Sequence, residues 1–396
     1  MGYKIKGIVD WVGKVDWELR TFHGEELSTH RGSSYNAYLI RDEKTVLIDT
    51  SWAPFAEEFV ENLKKEIDLN KIDYIISLHS EIDHSGALPQ LMKEIPDTPI
   101  YCTTNGAKFI KSQYHKNWNF VTVKTGDKLS IGSQEIIFIE APMLHWPDTM
   151  FCYLTGEKIL FSSDAFGQHY AAQPAFNDLV DEDELYQEAI KYYANIVAPF
   201  SPMVERKIKE VLDLNLPIEM ICPAHGVIWR DNPAQIVETY LKWAKNYAEN
   251  QITIVYGTMW DATKIMAEAI AQGIAEEDPS ITVKLYNIGV SDKNDVITEI
   301  FKSKAVLVGS STFYNGMLSE VAGLLEEVRC LKLGRGKKAA AFGAYGWSGE
   351  SVKLVSEALK AAGFELVNDG IRELWKPDEK ALENCINFGK NFLKSI

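Results

Sequence analysis

The chain has 396 residues, 46% of them hydrophobic, and a formal net charge of −15. That length suits two or three domains with sizeable cores, and the acidic balance makes nucleic acid a poor partner. No apolar run reaches the ~18 residues that span a bilayer, and Met1-Gly2-Tyr3-Lys4-Ile5-Lys6 lacks the apolar core of a signal peptide, so a soluble cytoplasmic protein is expected.

In chain order, the first informative element is Tyr74-Ile75-Ile76-Ser77-Leu78, which reads as a buried strand. Directly after it, His79-Ser80-Glu81-Ile82-Asp83-His84 packs four potential metal ligands into six residues, and Ser85-Gly86-Ala87-Leu88-Pro89 opens a Leu-rich helical stretch. The ligands therefore sit on a strand-to-helix loop, a place that commonly holds chemistry. Imidazole with carboxylate suits iron, manganese or zinc, whereas thiolates would suggest structural zinc or an iron–sulfur cluster, and no cysteine lies near this loop. The spacing is that of a two-metal site, which one turn cannot complete alone. Three further candidates each follow a strand-like segment: His145 in Met143-Leu144-His145-Trp146-Pro147, Asp164 after Ile159-Leu160-Phe161, and His225 after Met220-Ile221-Cys222-Pro223-Ala224. The run Asp181-Glu182-Asp183-Glu184 reads as a solvated helix start. His30, His115 and His169 are taken as ordinary structural histidines.

A new domain is expected where Ala244-Lys245-Asn246-Tyr247-Ala248-Glu249-Asn250 gives way to Gln251-Ile252-Thr253-Ile254-Val255-Tyr256, dividing the chain into residues 1–250 and 251–396. Beyond it, strand-like runs at Ile252 to Tyr256, Val283 to Tyr286, Ala305 to Gly309, Ala339 to Phe342 and Phe364 to Val367 alternate with helical ones, the pattern of a doubly wound parallel sheet. The first strand runs into Gly257-Thr258-Met259-Trp260-Asp261-Ala262-Thr263, whose amides and hydroxyls suit a phosphate at the start of the helix Lys264 to Ile274. Two further loops leave strand carboxyl ends: Ser310-Ser311-Thr312-Phe313-Tyr314-Asn315-Gly316 and Gly343-Ala344-Tyr345-Gly346-Trp347-Ser348-Gly349. Both combine glycine with aromatics able to stack on a flat ring. A G-x-G-x-x-G dinucleotide fingerprint is absent after the first strand. The five cysteines, Cys102, Cys152, Cys222, Cys330 and Cys385, include no C-x-x-C pair, which argues against disulfides and a fused rubredoxin module.

The order H-x-[EH]-x-D-H, then His, Asp and His, over roughly the first 250 residues resembles the metallo-β-lactamase superfamily, whose αββα sandwich gathers ligands from strand ends into a binuclear site. Glu81 stands where dizinc hydrolases of that superfamily carry a second His, and this harder anionic donor favours iron. With Glu81 in place the resemblance to flavodiiron proteins is complete, and the later loops resemble those of a flavodoxin-like domain that binds FMN. That resemblance implies one iron on His79, Glu81 and His145, another on Asp83, His84 and His225, and Asp164 as the bridge. In some members the residue matching His84 turns away and water replaces it. Family likeness also suggests His23 as a pocket donor and Tyr193 as a donor to a bound oxyanion.

The implied activity is reduction of nitric oxide to nitrous oxide, dioxygen to water, or both, with electrons passed from FMN to the diiron site. The family further implies a head-to-tail homodimer or a dimer of dimers, and a separate electron donor such as rubredoxin, a reduced deazaflavin or a flavin reductase. Two alternatives are weighed against this reading: a dizinc hydrolase with an appended flavodoxin domain, and an electron-transfer flavoprotein whose metal domain only docks a partner.

Overall fold

A computed structural model describes residues 2–396. They divide into two compact units, residues 2–192 with 200–241 and residues 193–199 with 242–396.

The first unit holds two large sheets besides two small two-stranded ones. One has seven strands in sequential order: β1 (Tyr3–Lys6), β2 (Val9–Trp11), β3 (Tyr38–Arg41), β4 (Thr45–Ile48), β5 (Ile72–Ile76), β6 (Ile100–Cys102) and β7 (Phe120–Thr122). Pairing is antiparallel from β1 to β4 and parallel from β4 to β7. The second sheet runs β8 (Lys128–Ser130), β9 (Glu135–Glu140), β10 (Met150–Leu154), β11 (Ile159–Ser163) and β12 (Met220–Pro223), with only the β11–β12 pair parallel.

The two-residue period of a strand decides which core each side chain enters. Tyr38, Ile40, Val46, Ile48 and Ile76 join Phe138, Cys152, Phe161 and Cys222 in the core between the sheets. Their neighbours Leu39, Leu47 and Ile75 face the other way, onto a second cluster. That cluster includes Phe59, Val60 and Leu63 of the helix Ala56–Glu66 and Leu88, Leu91 and Met92 of the helix Leu88–Glu94. β4, β5 and β11 lie inside these sheets and β12 pairs with β11 at the edge, so their carboxyl ends are fixed by the ladders.

The second unit is a six-stranded sheet with a parallel ladder at every pairing. Its order is β14 (Thr282–Asn287), β13 (Glu249–Gly257), β15 (Ser303–Ser310), β16 (Lys338–Tyr345) and β17 (Glu365–Leu366), with β18 (Ile371–Leu374) also on β16. The doubly wound expectation is met, and the strand β18 adds to the runs anticipated from sequence. Right-handed parallel crossovers require helices between strands. Here these include Ala262–Glu277, Lys293–Lys302, Ser319–Cys330 and Ser351–Ala361. No helix among the described residues is long and apolar enough to cross a membrane.

Candidate functional site

In the first unit, residues predicted from sequence converge at strand carboxyl ends. His79 and Glu81 follow β5, Asp83 and His84 lie in the short helical turn Ile82–Ser85, Asp164 follows β11, and His225 follows β12. Their donor atoms form overlapping triads within 4.8 Å: His79 with Glu81 and His145, Asp83 with His84 and His225, and His79 with His84 and Asp164. Asp164 lies between the first two groups. Its Oδ2 is 3.8 Å from His79 Nε2 and 3.9 Å from His145 Nε2, while Oδ1 is 3.2 Å from His84 Nε2 and 3.3 Å from His225 Nε2.

Each buried imidazole is aimed by a partner at its other nitrogen, the arrangement that orients metal-binding histidines. His79 Nδ1 faces Asp148 Oδ2 at 3.2 Å, and His84 Nδ1 faces Asp49 Oδ2 at 3.3 Å. His225 Nδ1 donates to the Ser34 carbonyl at 2.7 Å. These partners are themselves held: Asp148 accepts from the Ser80 amide, and Asp49 accepts from the Leu78 amide. His84 thus turns into the cluster.

Burying this many ionisable groups requires mutual compensation. For His79, burial lowers the pKa, but hydrogen bonds to Asp148 and Glu81 and the Asp164 charge outweigh it and raise it to about 10. Burial likewise opposes the charge of His225, yet Asp164 and Asp83 raise it to about 9. Burial raises Glu81, Asp83 and Asp164, and the surrounding imidazoles more than reverse that, so all three carboxyls are held below their ordinary range.

A binuclear metal centre fits this donor set. Asp83 Oδ1 and Asp164 Oδ2 are buried without any hydrogen-bond partner, a costly state that a cation would relieve. Four imidazoles and three carboxylates, with no thiol among them, match non-haem iron.

His23 stands at the edge, its Nε2 3.0 Å from Glu81 Oε1. Trp146 packs edge-on to His79 at 5.0 Å. Tyr193 departs from expectation: its ring packs on Trp243 and Phe301 in the second unit. The hydroxyl at the cluster belongs to Tyr192, which donates to Asp164 Oδ1 across 3.0 Å. Consecutive helical residues point about 100° apart, so a one-residue difference exchanges the two environments. Asp49, Asp148, Tyr192 and His169, whose ring is 5.4 Å from that of His225, were not singled out from sequence as site residues. Only Asp49, directly after β4, and Tyr192, at a helix end, stand where position hints at a role.

The second unit brings its three predicted loops to the carboxyl ends of β13, β15 and β16. Thr258 Oγ1 is buried with no partner, and the helix Ala262–Glu277 starts from Asp261 in a left-handed conformation without a side-chain cap. Thr263 Oγ1 and Ser311 Oγ, 3.0 Å apart, tie the first loop to the second. The Thr312 amide donates to the Ala344 carbonyl, joining the second to the third. Trp260, Tyr314 and Trp347 are 82%, 85% and 79% exposed. Such large apolar surfaces beside unspent donors fit a flavin phosphate with its flat ring. Trp375, after β18, packs against Gly346 and extends this surface beyond what sequence reasoning found.

The fold and these sites define an α/β protein in which a metallo-β-lactamase-like domain precedes a flavodoxin-like one. Residues 34–226 match the ODP family beta lactamase family and residues 254–389 match Flavodoxin. The chain is 54% identical to the anaerobic nitric oxide reductase flavorubredoxin of Escherichia coli, over 100% of this chain and 82% of that protein. Among solved structures it is similar to rubredoxin oxygen:oxidoreductase from Desulfovibrio gigas, with a TM-score of 0.96, 36% identity and coverage of 100% and 98%. The flavodiiron protein of Giardia intestinalis gives a TM-score of 0.95, 34% identity and coverage of 100% and 96%. The chain belongs to the flavodiiron family.

Proposed function

We propose that the protein reduces nitric oxide to nitrous oxide, dioxygen to water, or both, using electrons delivered through FMN to a non-haem diiron site. The observation that carries this reading is the double triad with Asp164 between its halves. His79, Glu81 and His145 would hold one iron, Asp83, His84 and His225 the other, and Asp164 would bridge them. When bound, the iron pair supplies binding and reduction of a diatomic molecule, and FMN supplies electrons one at a time.

The chain's own residues set the conditions. Asp148, Asp49 and the Ser34 carbonyl fix the imidazole orientations, so the donor atoms are arranged before any metal arrives. Glu81, Asp83 and Asp164 keep three negative charges in the cleft to balance cationic metal. His23, one-third exposed and paired with Glu81, would place a hydrogen-bond donor at the pocket edge. On the flavin side, the Thr258 hydroxyl and the backbone amides of Asp261 to Thr263 would take the phosphate. Tyr314, Trp347 and the Ser310–Gly316 loop would flank the ring.

The domain division at residues 1–250 and 251–396 is part of this proposal, supported by family matches on either side of it, although residues 193–199 and 242–250 pack with the second unit. So are a head-to-tail dimer or dimer of dimers, a separate donor such as rubredoxin, reduced deazaflavin or a flavin reductase, and a cytoplasmic location, which the five unpaired cysteines favour. The carboxylate at position 81 and the flavin loops weigh against the hydrolase alternative. Anaerobically prepared protein should carry two irons and one FMN per chain and consume nitric oxide once photoreduced. A zinc-loaded protein that hydrolyses esters or amides and leaves nitric oxide untouched would overturn the reading.

A further inference from the structure

We infer that Tyr192 is a positioning residue for the metal pair: its hydroxyl fixes the rotation of Asp164 so that the two carboxylate oxygens serve different halves of the centre. The inference rests on the diiron reading above. Tyr192 ends the helix Glu182–Tyr192, is buried, and donates to Asp164 Oδ1 across 3.0 Å. Oδ1 is the oxygen on the His84 and His225 side, whereas Oδ2, on the His79 and His145 side, is buried with no protein partner.

The terminal torsion of an aspartate is broad and roughly two-fold. Charge attraction from imidazoles on both sides does little to tell one oxygen from the other, but a fixed donor on one of them does. The phenol is itself constrained, because its ring lies 5.1 Å from that of His169, which is anchored through Nδ1 to Ser33 Oγ at 2.9 Å. A proton held on Oδ1 draws electron density from that oxygen, so the Asp83, His84 and His225 half meets a weaker but well-oriented donor. Oδ2, with no competing hydrogen bond, remains the stronger donor to the His79, Glu81 and His145 half. The two halves are therefore inequivalent before any substrate arrives.

The test uses holoenzyme containing FMN and iron-57, comparing wild type, Y192F and Y193F by Mössbauer spectroscopy, together with Co2+ titration of the metal-free proteins. Y192F should retain both irons and FMN but shift the quadrupole splitting of one doublet only. In the titration it should weaken one of the two binding steps by roughly tenfold, within the range for outer partners of metal ligands. Y193F should leave both doublets and both steps in place. Difluorotyrosine at position 192, a stronger hydrogen-bond donor, should move the same doublet in the opposite sense and guards against a folding defect in Y192F. Unchanged spectra and titrations in Y192F, or equal changes in both halves, would overturn the inference. Wild-type protein that takes up no iron pair would overturn the diiron reading instead.

Discussion

Asp164 is 2% exposed and Trp347 is 79% exposed, and that contrast runs through the two sites. In the first unit, function is carried by buried charge: imidazoles and carboxylates within a few ångströms, with His79, His84 and His225 each aimed by a second polar group. In the second, it is carried by backbone loops, one orphaned hydroxyl and aromatic rings facing outward. Buried charges that lose one partner are strongly destabilised, so the metal cleft is a tightly coupled unit. The flavin surface is a sum of modest contacts. A substitution in the first should therefore disturb its neighbours, while one in the second should act nearly alone.

The largest effect is expected from Asp164→Asn, which removes the shared carboxylate charge. Metal affinity should fall by more than the roughly 100-fold associated with outer partners, and FMN should stay bound. Metal analysis with the flavin absorbance checks both, and full iron occupancy would break the contrast. Asp148→Asn, which withdraws the carboxylate behind His79, should cost about 10–100-fold in metal affinity and spare FMN, as measured by chelator competition.

Thr258→Ala tests the flavin side through a neutral group. A hydrogen bond to a charged phosphate contributes about 1.5–3 kcal/mol, so FMN dissociation followed by fluorescence should be roughly 10- to 150-fold easier with the metals unaffected. Trp347→Ala should cost less, about 0.5–1.5 kcal/mol of FMN binding from lost stacking.

Proton linkage sharpens the same contrast. In metal-free protein the pKa values of His79 and His225 are raised above the ordinary 6.5, to about 10 and about 9. Groups raised in the folded state stabilise it fully below their unfolded pKa, and that stability is lost as pH rises through the folded values. The melting temperature of metal-free protein should thus decline from pH 7 toward pH 10 relative to that of the iron-loaded form. Metal uptake at pH 7 should also release protons, because the ligand histidines must be neutral, which calorimetry in buffers of different ionisation enthalpy reads directly. No proton release would contradict the paired geometry.

Much of this was legible in the sequence for reasons the structure makes plain. His79 to His84, His145, Asp164 and His225 could be read because each comes after an apolar strand, and β5, β9, β11 and β12 bring their carboxyl ends to one cluster. The flavin loops were legible for the same reason, as turns between strand and helix. What escaped depended on register across the fold. Asp49 reaches His84 from the end of β4 through a left-handed backbone turn, and Asp148 reaches His79 from 69 residues away. Neither proximity leaves a local pattern. Tyr193 was named on family likeness in place of its neighbour Tyr192, and with the regular helix ending at Tyr192 and a wider π turn over Tyr193–Val197 no local periodicity indicates which ring faces the cleft. Trp375 was missed because β18, which positions it, lacks a strong apolar alternation, with both Arg372 and Glu373 in four residues.

The most direct test of electron flow from FMN through the metal pair is anaerobic stopped-flow mixing of reduced holoenzyme with nitric oxide, following the flavin band in wild type and in Asp164→Asn. Rapid flavin reoxidation in wild type, lost in the variant although its FMN remains bound, is the predicted result. Equally fast reoxidation in a variant that has lost its iron would contradict the account.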